Sequence, residues 1–255
     1  NRKIRLAVVG CGRIAKNHFI AIEQYSNDLE LVAVCDVNED IVNQKSKELD
    51  CIGYTDIEKL VVEENLDCLI LCTPSGLHAQ QAMLAASQKI NVLTEKPMAT
   101  NYSDGIKMLK KCDEFGVRLL VVKQNRLNPT LQLLKRAMVE KRFGKISLVQ
   151  TNVFWSRDQE YYDRGAGWRG TWEFDGGAFM NQASHYVDLV EWLIGPVDRV
   201  QAMMSTTREI EAEDTGVVNI KWRNGTLGSM AVTMLTYPKN LEGSITILGE
   251  KGSAK

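Results

Sequence analysis

The chain has 255 residues, of which 44% are hydrophobic and 25% are charged, and its formal net charge is -1. This composition is typical of a soluble globular protein with one large or two ordinary domains. The balanced charge argues against a dedicated nucleic-acid binder. The lack of a run of about 18 apolar residues predicts that no segment spans a membrane.

Cysteine and histidine usage predicts no metal site. None of the six cysteines forms a C-x-x-C pair, and the chain has only three histidines, His18, His78 and His185. Cysteines in strand-like apolar runs, such as Cys35 and Cys68, are typical of buried small hydrophobic residues. The pattern offers no zinc ligands and favours a reducing, cytoplasmic location.

Residues 4 to 124 are predicted to alternate strands and helices. Strands are predicted over Ile4–Val9, Leu29–Cys35, Asp67–Cys72, Asn91–Leu93 and Val117–Val122. Helices are predicted over Ile14–Tyr25, Asp40–Leu49 and Ser103–Phe115, and a capping box at Thr55-Asp-Ile-Glu58 predicts one more. Strands that are apolar on both faces and joined by helices predict a parallel, doubly wound sheet that binds ligands at the carboxyl ends of its strands.

The first strand ends in Gly10-Cys-Gly12-Arg-Ile-Ala15, which has the G-x-G-x-x-A form of the dinucleotide fingerprint. Gly10 permits a tight turn, Gly12 lets the backbone approach a pyrophosphate, and Ala15 lets the helix pack on the strand. The helix start then presents its unpaired N–H groups to the phosphates. An ordinary glycine turn between strand and helix is the alternative.

Asp36 ends the second apolar run, 26 residues after Gly10. A carboxylate at this spacing accepts hydrogen bonds from the adenosine ribose and repels a 2′-phosphate. No Arg or Lys follows in Val37–Asp40 to neutralise that phosphate. The sequence therefore predicts NAD rather than NADP.

Polar segments follow the third, fourth and fifth long strands. They are Thr73–His78, Thr94–Pro97 and Lys123–Pro129. One such segment could be a simple loop, but several that meet at the same edge of a parallel sheet predict a site.

The pattern changes after residue 128. Asn128-Pro129 begins a helix that is predicted to reach about Arg142, with Gly144 ending it. Next we predict a strand at Ile146–Trp155, a loop at Arg157–Asp175 and a helix at Gly176–Ile194. Four more strands are predicted after that helix: Val200–Thr206, Gly216–Arg223, Thr226–Tyr237 and Ser244–Leu248. Asn224-Gly225 is a strong hairpin signal.

The second half is therefore predicted to be an open, mostly antiparallel sheet with a helix on it. We predict a dinucleotide-binding domain over residues 1–123 and an α+β open-sheet domain over 124–255. Gly249-Glu-Lys-Gly252 has the composition of a turn before another strand, so we expect the sheet to continue beyond Lys255.

Four motifs together resemble the glucose–fructose oxidoreductase / inositol dehydrogenase family over essentially the whole chain. They are Gly10–Ala15, Thr73-Pro74 with His78, Glu95-Lys-Pro97, and Gly176-Gly177 leading to His185. The resemblance implies a Rossmann domain and an open-sheet domain that builds the substrate site and the oligomer interface. It implies an enzyme that uses a nicotinamide cofactor on a sugar carbon, and a homo-oligomer, dimer or tetramer, formed through the C-terminal sheet.

A narrower resemblance is to the UDP-N-acetylglucosaminuronic acid 3-dehydrogenases of bacterial surface-polysaccharide synthesis. The segments that carry it are 10–18, Trp168–Thr171, Asn181–Asp188 and Leu235–Gly249. It implies NAD-dependent oxidation of the sugar C3 hydroxyl and a nucleotide-sugar substrate. The alternatives are a dehydrogenase of a free polyol such as inositol and a non-catalytic NAD-binding sensor.

The resemblance places Lys96 at the reacting hydroxyl and Glu95 at the cofactor ribose. Asn181 and His185 are spaced to share one helix face, so His185 is the second candidate for proton transfer. The wider family usually has Asp where this chain has Asn181, and an amide cannot take up a proton. A solvated loop pair at 95–96 and an ordinary interior histidine at 185 are the alternatives.

The remaining candidate residues are assigned to a cofactor-binding set and a substrate-binding set. Arginine suits a carboxylate or diphosphate, and aromatic rings suit a sugar or uracil face, although an oligomer interface is an alternative role for the loop that carries several of them. The cofactor set is Gly10, Gly12, Arg13, Ile14, Asp36, Thr73, Pro74, His78, Glu95, Lys96, Gln124, Trp168 and Arg169. The substrate set is Lys96, Asn125, Arg157, Tyr161, Arg169, Asn181, His185, Tyr237 and Lys239. His18 is predicted to be either a packing residue or a residue at the edge of the substrate.

Overall fold

The computed structural model describes residues 2–164 and 167–255. Gly165 and Ala166, within the predicted Arg157–Asp175 loop, lie outside the described residues. The chain divides into two compact units, Asn1–Val122 and Lys123–Lys255.

The first unit is a six-stranded parallel sheet with helices between its strands. The strands are β1 (Ile4–Val9), β2 (Leu29–Cys35), β3 (Ile52–Tyr54), β4 (Cys68–Leu71), β5 (Asn91–Thr94) and β6 (Leu119–Val121). The helices are α1 (Ala15–Gln24), α2 (Glu39–Leu49), α3 (Ile57–Glu63), α4 (His78–Ser87) and α5 (Tyr102–Phe115). The strand order β3-β2-β1-β4-β5-β6 reverses direction between β1 and β4, as in a doubly wound sheet.

Both faces of this sheet are covered because its strands are apolar on both sides. Alternate residues of β1 enter two different cores, Leu6 and Val8 one and Ala7 and Val9 the other. Helices α1 and α2 contribute to the first core, and α3, α4 and α5 contribute to the second. The prediction of a parallel Rossmann sheet is confirmed.

The structure of this unit differs from the sequence prediction in two places. Helix α3 is capped by Asp56, whose Oδ1 accepts from Glu58 N at 2.8 Å, and not by Thr55. Strand β3 was not predicted, because its three residues are too few to show a period and are half-buried or exposed. It belongs to the sheet through its parallel pairing with β2.

The second unit is a mixed six-stranded sheet with helices packed on one face. The strands are β7 (Ile146–Phe154), β8 (Val197–Ser205), β9 (Thr215–Trp222), β10 (Leu227–Thr233), β11 (Glu242–Gly249) and β12 (Gly252–Ala254), in the order β12-β11-β7-β10-β9-β8. The helices are α6 (Pro129–Val139), α7 (Gln159–Asp163) and α8 (Ser184–Ile194). Residues of α6 and α8 pack on a core that includes Val149, Trp222 and Ile247.

The sheet of the second unit is not wholly antiparallel. Strands β7 and β10 pair in parallel, while the other pairs are antiparallel. The hairpin predicted at Asn224-Gly225 does connect antiparallel strands, β9 and β10. After Gly249-Glu-Lys-Gly252, β12 returns against β11.

The predicted helix Gly176–Ile194 is wrong over its first eight residues, because α8 begins only at Ser184. Gly176 has a φ of +77°, in the left-handed region, which a right-handed helix cannot contain. Glu213 also holds the turn, since Phe179 N donates to its Oε1 at 3.0 Å and Ala178 N donates to its carbonyl. Asn181 therefore precedes the helix that carries His185.

Helix α6 also ends earlier than predicted, at Val139 rather than near Arg142. Lys141 has a φ of 54°, so the chain leaves the helix before Gly144. Asn128 caps the helix, its side chain accepting from Thr130 N, and Pro129 is the first helical residue.

All six cysteines lie in the first unit, and all are free thiols. Burial raises the pKa of Cys11 and Cys35 to about 12, and the pKa of Cys51 and Cys68 to about 11. They are therefore protonated, weakly reactive thiols near neutral pH. In the part of the chain that the structure describes, no helix is both long and apolar enough to cross a membrane.

Substitution of Gly10 should damage the fold, whereas substitution of Gly12 should not. Gly10 has a φ of +86°, and a Cβ there would lie 2.7 Å from the carbonyl carbon of Cys72. A Cβ on Gly12 would meet no atom within 4 Å. Gly10→Ala should therefore lower the free energy of unfolding by about 2–4 kcal/mol, measured by urea denaturation with circular dichroism. Equal losses in Gly10→Ala and Gly12→Ala would contradict this account of the turn.

Candidate active site

The start of α1 is suited to an anion. Helices α2, α3 and α5 are capped by the side chains of Asn38, Asp56 and Asn101, but no side chain caps α1. Its first N–H groups are therefore not occupied by a side chain and can face phosphate oxygens. Gly12 faces open space, so a pyrophosphate can approach the backbone. The structure thus brings together the predicted residues of the fingerprint, including Arg13, which is exposed, and Ile14, which precedes the helix.

Asp36 is fixed by two backbone amides at the carboxyl end of β2. Its Oδ2 accepts from Cys11 N at 2.8 Å and its Oδ1 accepts from Asn38 N at 3.0 Å. Each carboxylate oxygen has two acceptor positions, so both can also receive a ribose hydroxyl. The bond to Cys11 ties Asp36 to the fingerprint turn, as a dinucleotide site requires.

His78 connects the loops after β4 and β5. Its Nδ1 lies 2.8 Å from the carbonyl of Pro97, and its Nε2 lies 2.9 Å from the carbonyl of Thr73. The ring is buried, and burial lowers the pKa of His78. Thr73 donates from its hydroxyl to Gln81 at 2.6 Å. The ring nitrogens of His78 thus face backbone carbonyls of the predicted site, and its contact with a cofactor stays a prediction.

Glu95 is buried and lies against His18. Its Oε1 is 2.8 Å from His18 Nε2, and its Oε2 accepts from Lys96 N at 3.3 Å. This pair was not predicted, because the two residues are 77 positions apart in the sequence. A signal was present: His18 follows Ala15 and precedes Phe19 and Ile22 on the buried side of α1, where a polar ring needs a partner.

In the second unit, Asp188 holds the segment that contains Gln124 and Asn125. Arg126 donates to both carboxylate oxygens of Asp188, at 2.8 and 2.6 Å, and Lys123 Nζ lies 3.6 Å away. Because Asp188 is on α8, this ion pair holds the turn at Gln124–Leu127 against the helix that carries His185.

Two arginines lie against the ring of Tyr161. The guanidinium carbons of Arg169 and Arg157 are 4.5 and 5.3 Å from the ring centroid, and Arg169 Nη1 donates to the Tyr161 hydroxyl at 2.7 Å. Arg169 also lies 4.6 Å from the ring of Trp168. The structure therefore gathers four predicted residues into one cationic, aromatic cluster, which we call the Tyr161 cluster: Arg157, Tyr161, Trp168 and Arg169. Such a cluster suits a carboxylate or phosphate.

Asn181 has a fixed amide. Its Nδ2 donates to the buried carboxylate of Asp175, whose other oxygen accepts from Gly170 N at 2.8 Å. A carboxylate at position 181 would stand beside the carboxylate of Asp175 and be repelled by it. The neighbouring Asp175 is a physical reason for an amide here.

Tyr237 and Lys239 lie in an exposed loop between β10 and β11. The loop is tied to the Tyr161 cluster by Asn240, whose Oδ1 accepts from Ser156 N at 2.9 Å and from Arg157 Nη1 at 3.4 Å. Within the described residues, no group of three His, Cys, Asp or Glu side chains is placed to hold a metal ion.

The fingerprint turn, the uncapped start of α1 and the carboxylate of Asp36 together are typical of a nicotinamide-dinucleotide oxidoreductase. Comparison with known proteins agrees. Residues 4–123 match the model "Oxidoreductase family, NAD-binding Rossmann fold", and residues 131–255 match the GFO/IDH/MocA C-terminal domain. The chain belongs to the GFO/IDH/MocA family of oxidoreductases. The predicted family, fold class, cofactor NAD and enzyme class are confirmed.

Two crystal structures are similar over 99% of this chain, each with a TM-score of 0.97. The WlbA dehydrogenase from Bordetella pertussis in complex with NADH and UDP-GlcNAcA is 56% identical, and this chain covers 77% of it. The WlbA dehydrogenase from Chromobacterium violaceum, in complex with the same two ligands, is 59% identical and 73% covered. Myo-inositol 2-dehydrogenase from Thermotoga maritima is 26% identical over 237 residues, which are 88% of this chain and 67% of that protein.

Replacing Asp36 should change the choice of cofactor. In Asp36→Ser the carboxylate that would accept from the ribose diol is lost, so NADH affinity should fall about tenfold or more while NADPH affinity rises relative to it. The measurement is a fluorescence titration of the protein with NADH and with NADPH. Asp36→Asn is the matched control, because it removes the charge and keeps an oxygen acceptor for one of the two backbone amides. Wild-type protein that binds both cofactors equally would refute the prediction.

Proposed function

We propose that this protein is an NAD-dependent dehydrogenase that oxidises the C3 hydroxyl of UDP-N-acetylglucosaminuronic acid to the 3-keto sugar. The observation that carries the proposal is the 56–59% identity, over 99% of the chain, to two dehydrogenases that have NADH and UDP-GlcNAcA bound. The oxidised carbon follows from the resemblance of segments 10–18, 168–171, 181–188 and 235–249 to the 3-dehydrogenases. The product enters bacterial surface-polysaccharide synthesis.

The Tyr161 cluster supports an anionic substrate. A uronic acid carries a carboxylate that a free polyol lacks, and a guanidinium matches a carboxylate with two hydrogen bonds. Arg169 is already oriented by its bond to the Tyr161 hydroxyl, so it loses little freedom when a carboxylate binds. In this proposal Arg169 pairs with the sugar carboxylate, and the aromatic rings contact the sugar or the uracil.

Lys96 is the proposed base. The hydroxyl on C3 loses its proton to the neutral Nζ of Lys96, which becomes an ammonium, and the hydrogen on C3 leaves as a hydride. NAD, when bound, supplies the hydride acceptor. A cationic nicotinamide ring near an amine favours the neutral amine, which is the form that can accept a proton.

His185 is the proposed second group at the sugar oxygen, where it accepts or relays the proton or orients the ring. Asn181 holds the substrate without taking a proton, because its amide does not titrate and is already oriented by Asp175.

The protein is further proposed to be a cytoplasmic homo-oligomer. Strand β8, at the edge of the second sheet, exposes Val200, Met203 and Met204, and the neighbouring β9 exposes Val217. Met203 lies beside Val217 on one face, while Val200 and Met204 lie on the other face. Exposed apolar side chains at the edge of a sheet are typical of an interface. A cytoplasmic location suits six free thiols.

A substrate screen tests the proposed function. Formation of NADH is followed by absorbance with UDP-GlcNAcA, with uncharged UDP-N-acetylglucosamine and with myo-inositol. Turnover should be fastest with UDP-GlcNAcA, and Arg169→Ala should raise KM for it about tenfold or more, with a much smaller effect for the uncharged sugar. Arg164→Ala is the control, because Arg164 is exposed and pairs with Glu160 on the surface. Faster turnover of inositol would favour a polyol dehydrogenase, and turnover of nothing would favour a sensor.

The two proton-transfer candidates are tested separately. Lys96→Met and His185→Asn should each lower kcat by about 10²- to 10⁴-fold, because loss of an acid–base group has this effect. The affinity for NADH, measured by fluorescence, should change little. Near-wild-type kcat in both variants would exclude both residues from the chemistry. If Lys96→Met alone stayed active, His185 would be the sole base.

A further inference from the structure

Lys96 lies between two residues that are each contacted by a histidine from a different helix. On one side, Glu95 Oε1 is 2.8 Å from Nε2 of His18, on α1. On the other side, the carbonyl of Pro97 is 2.8 Å from Nδ1 of His78, the first residue of α4.

Both contacts are shielded from water. The side chains of His18 and Glu95 are 13% and 8% exposed, and His78 is 1% exposed. Hydrogen bonds in such surroundings hold their partners firmly, because a buried polar group that loses its partner is not compensated by solvent. A carboxylate oxygen accepts, so Nε2 of His18 is the donor in its bond to Glu95.

His78 connects two loops at once. Its Nε2 lies 2.9 Å from the carbonyl of Thr73, in the loop after β4, while its Nδ1 reaches the loop after β5. A carbonyl oxygen only accepts, and a neutral ring donates from one nitrogen, so His78 lies between the two loops and donates to one of these carbonyls. Glu95 N also donates to the carbonyl of Leu71 at 2.9 Å, which holds the start of the second loop to β4.

A lysine side chain has four rotatable bonds, so the position of its amine depends on how firmly its backbone is held. A displacement of about 1 Å can lower the rate of a reaction about 10²-fold. His78 contacts the backbone immediately after Lys96. His18 contacts the side chain of Glu95, whose other carboxylate oxygen accepts from Lys96 N at 3.3 Å. Neither histidine needs to touch the substrate to hold Lys96.

We propose that His18 and His78 are positioning residues that aim the amine of Lys96, His18 through Glu95 and His78 through Pro97. The proposal rests on the proposed role of Lys96 as the base.

His78 allows a test with two isosteric amides. An Asn amide nitrogen occupies the place of Nδ1 and can keep the bond to Pro97, whereas a Gln amide nitrogen occupies the place of Nε2 and can keep the bond to Thr73. Both variants bury an amide at the same place, so a general loss of stability affects both. We expect kcat of His78→Gln to be about tenfold or more below that of His78→Asn. Equal kcat values in His78→Gln and His78→Asn would show that the contact with Pro97 does not position Lys96.

At His18, a conservative substitution can test whether a hydrogen-bond donor toward Glu95 is enough to restore activity. His18→Gln can keep a donor toward Glu95, whereas His18→Leu cannot. We expect His18→Leu to lower kcat about tenfold to a hundredfold with a small change in KM, and His18→Gln to restore most of the loss. In a Lys96→Met background, His18→Leu should have no further effect, because its action passes through Lys96. An equal loss in both backgrounds would show that His18 acts independently and would overturn the proposal.

A second readout does not depend on the substrate. The rate of acetylation of Lys96 by limiting acetic anhydride is measured by mass spectrometry, relative to that of Lys107, an exposed lysine of α5. His18→Leu and His78→Gln should change the ratio at least twofold, and His18→Gln and His78→Asn should leave it near the wild-type value. An unchanged ratio in all four variants would overturn the proposal. A changed ratio together with an active Lys96→Met variant would retain the positioning of Lys96 and reject its role as the base.

Discussion

The parallel register of the first sheet is the constraint on which the candidate site depends. Val9 is paired with Cys35 on one side and with Leu71 on the other, and Leu71 is paired with Thr94. The residues that follow these partners therefore leave the sheet at one level. They include Gly10, Asp36 and Glu95, and the loop that begins at Thr73 leaves beside them. A shift of one residue would turn each strand over and send its core side chains to the opposite face.

Because the strands end level, short contacts are enough to connect the loops. Asp36 reaches the fingerprint through one amide hydrogen bond, and His78 connects two loops with one ring. The buried carboxylate of Glu95 needs a donor, and His18 supplies it from α1. In the second unit a single side chain likewise connects two segments. The carboxylate of Asp188, on α8, pairs with both Arg126 and Lys123.

Patterns that depend on neighbouring residues predicted the first sheet and the fingerprint turn well. Buried strands are continuous apolar runs, which are visible in the sequence. Gly10 and Ala15 are also recognisable, because a tight turn and close packing of helix on strand require small residues whatever the rest of the chain contains. The parallel pairing of β7 with β10 had no local signal, because two helices and two strands separate them in the chain. The spacing of Asn181 and His185 suggested one helix face. The left-handed Gly176 and the distant Glu213 instead make a turn there.

The candidate site shows the same division. Residue types at strand ends indicated where Asp36, Glu95 and Lys96 would lie. The pairing of these residues across the fold was not predicted, because the fold brings together positions that are far apart in the sequence, such as His18 and Glu95. Asn181 illustrates this: its amide is explained only when the buried Asp175 is found beside it.

The confinement of all six cysteines to the first unit has a practical consequence. The five tryptophans, at 155, 168, 172, 192 and 222, all lie in the second unit. Each unit thus carries its own intrinsic probe, thiol alkylation for the Rossmann sheet and indole fluorescence for the mixed sheet. The opening of one can be timed against the opening of the other in a single unlabelled sample, with no engineered reporter.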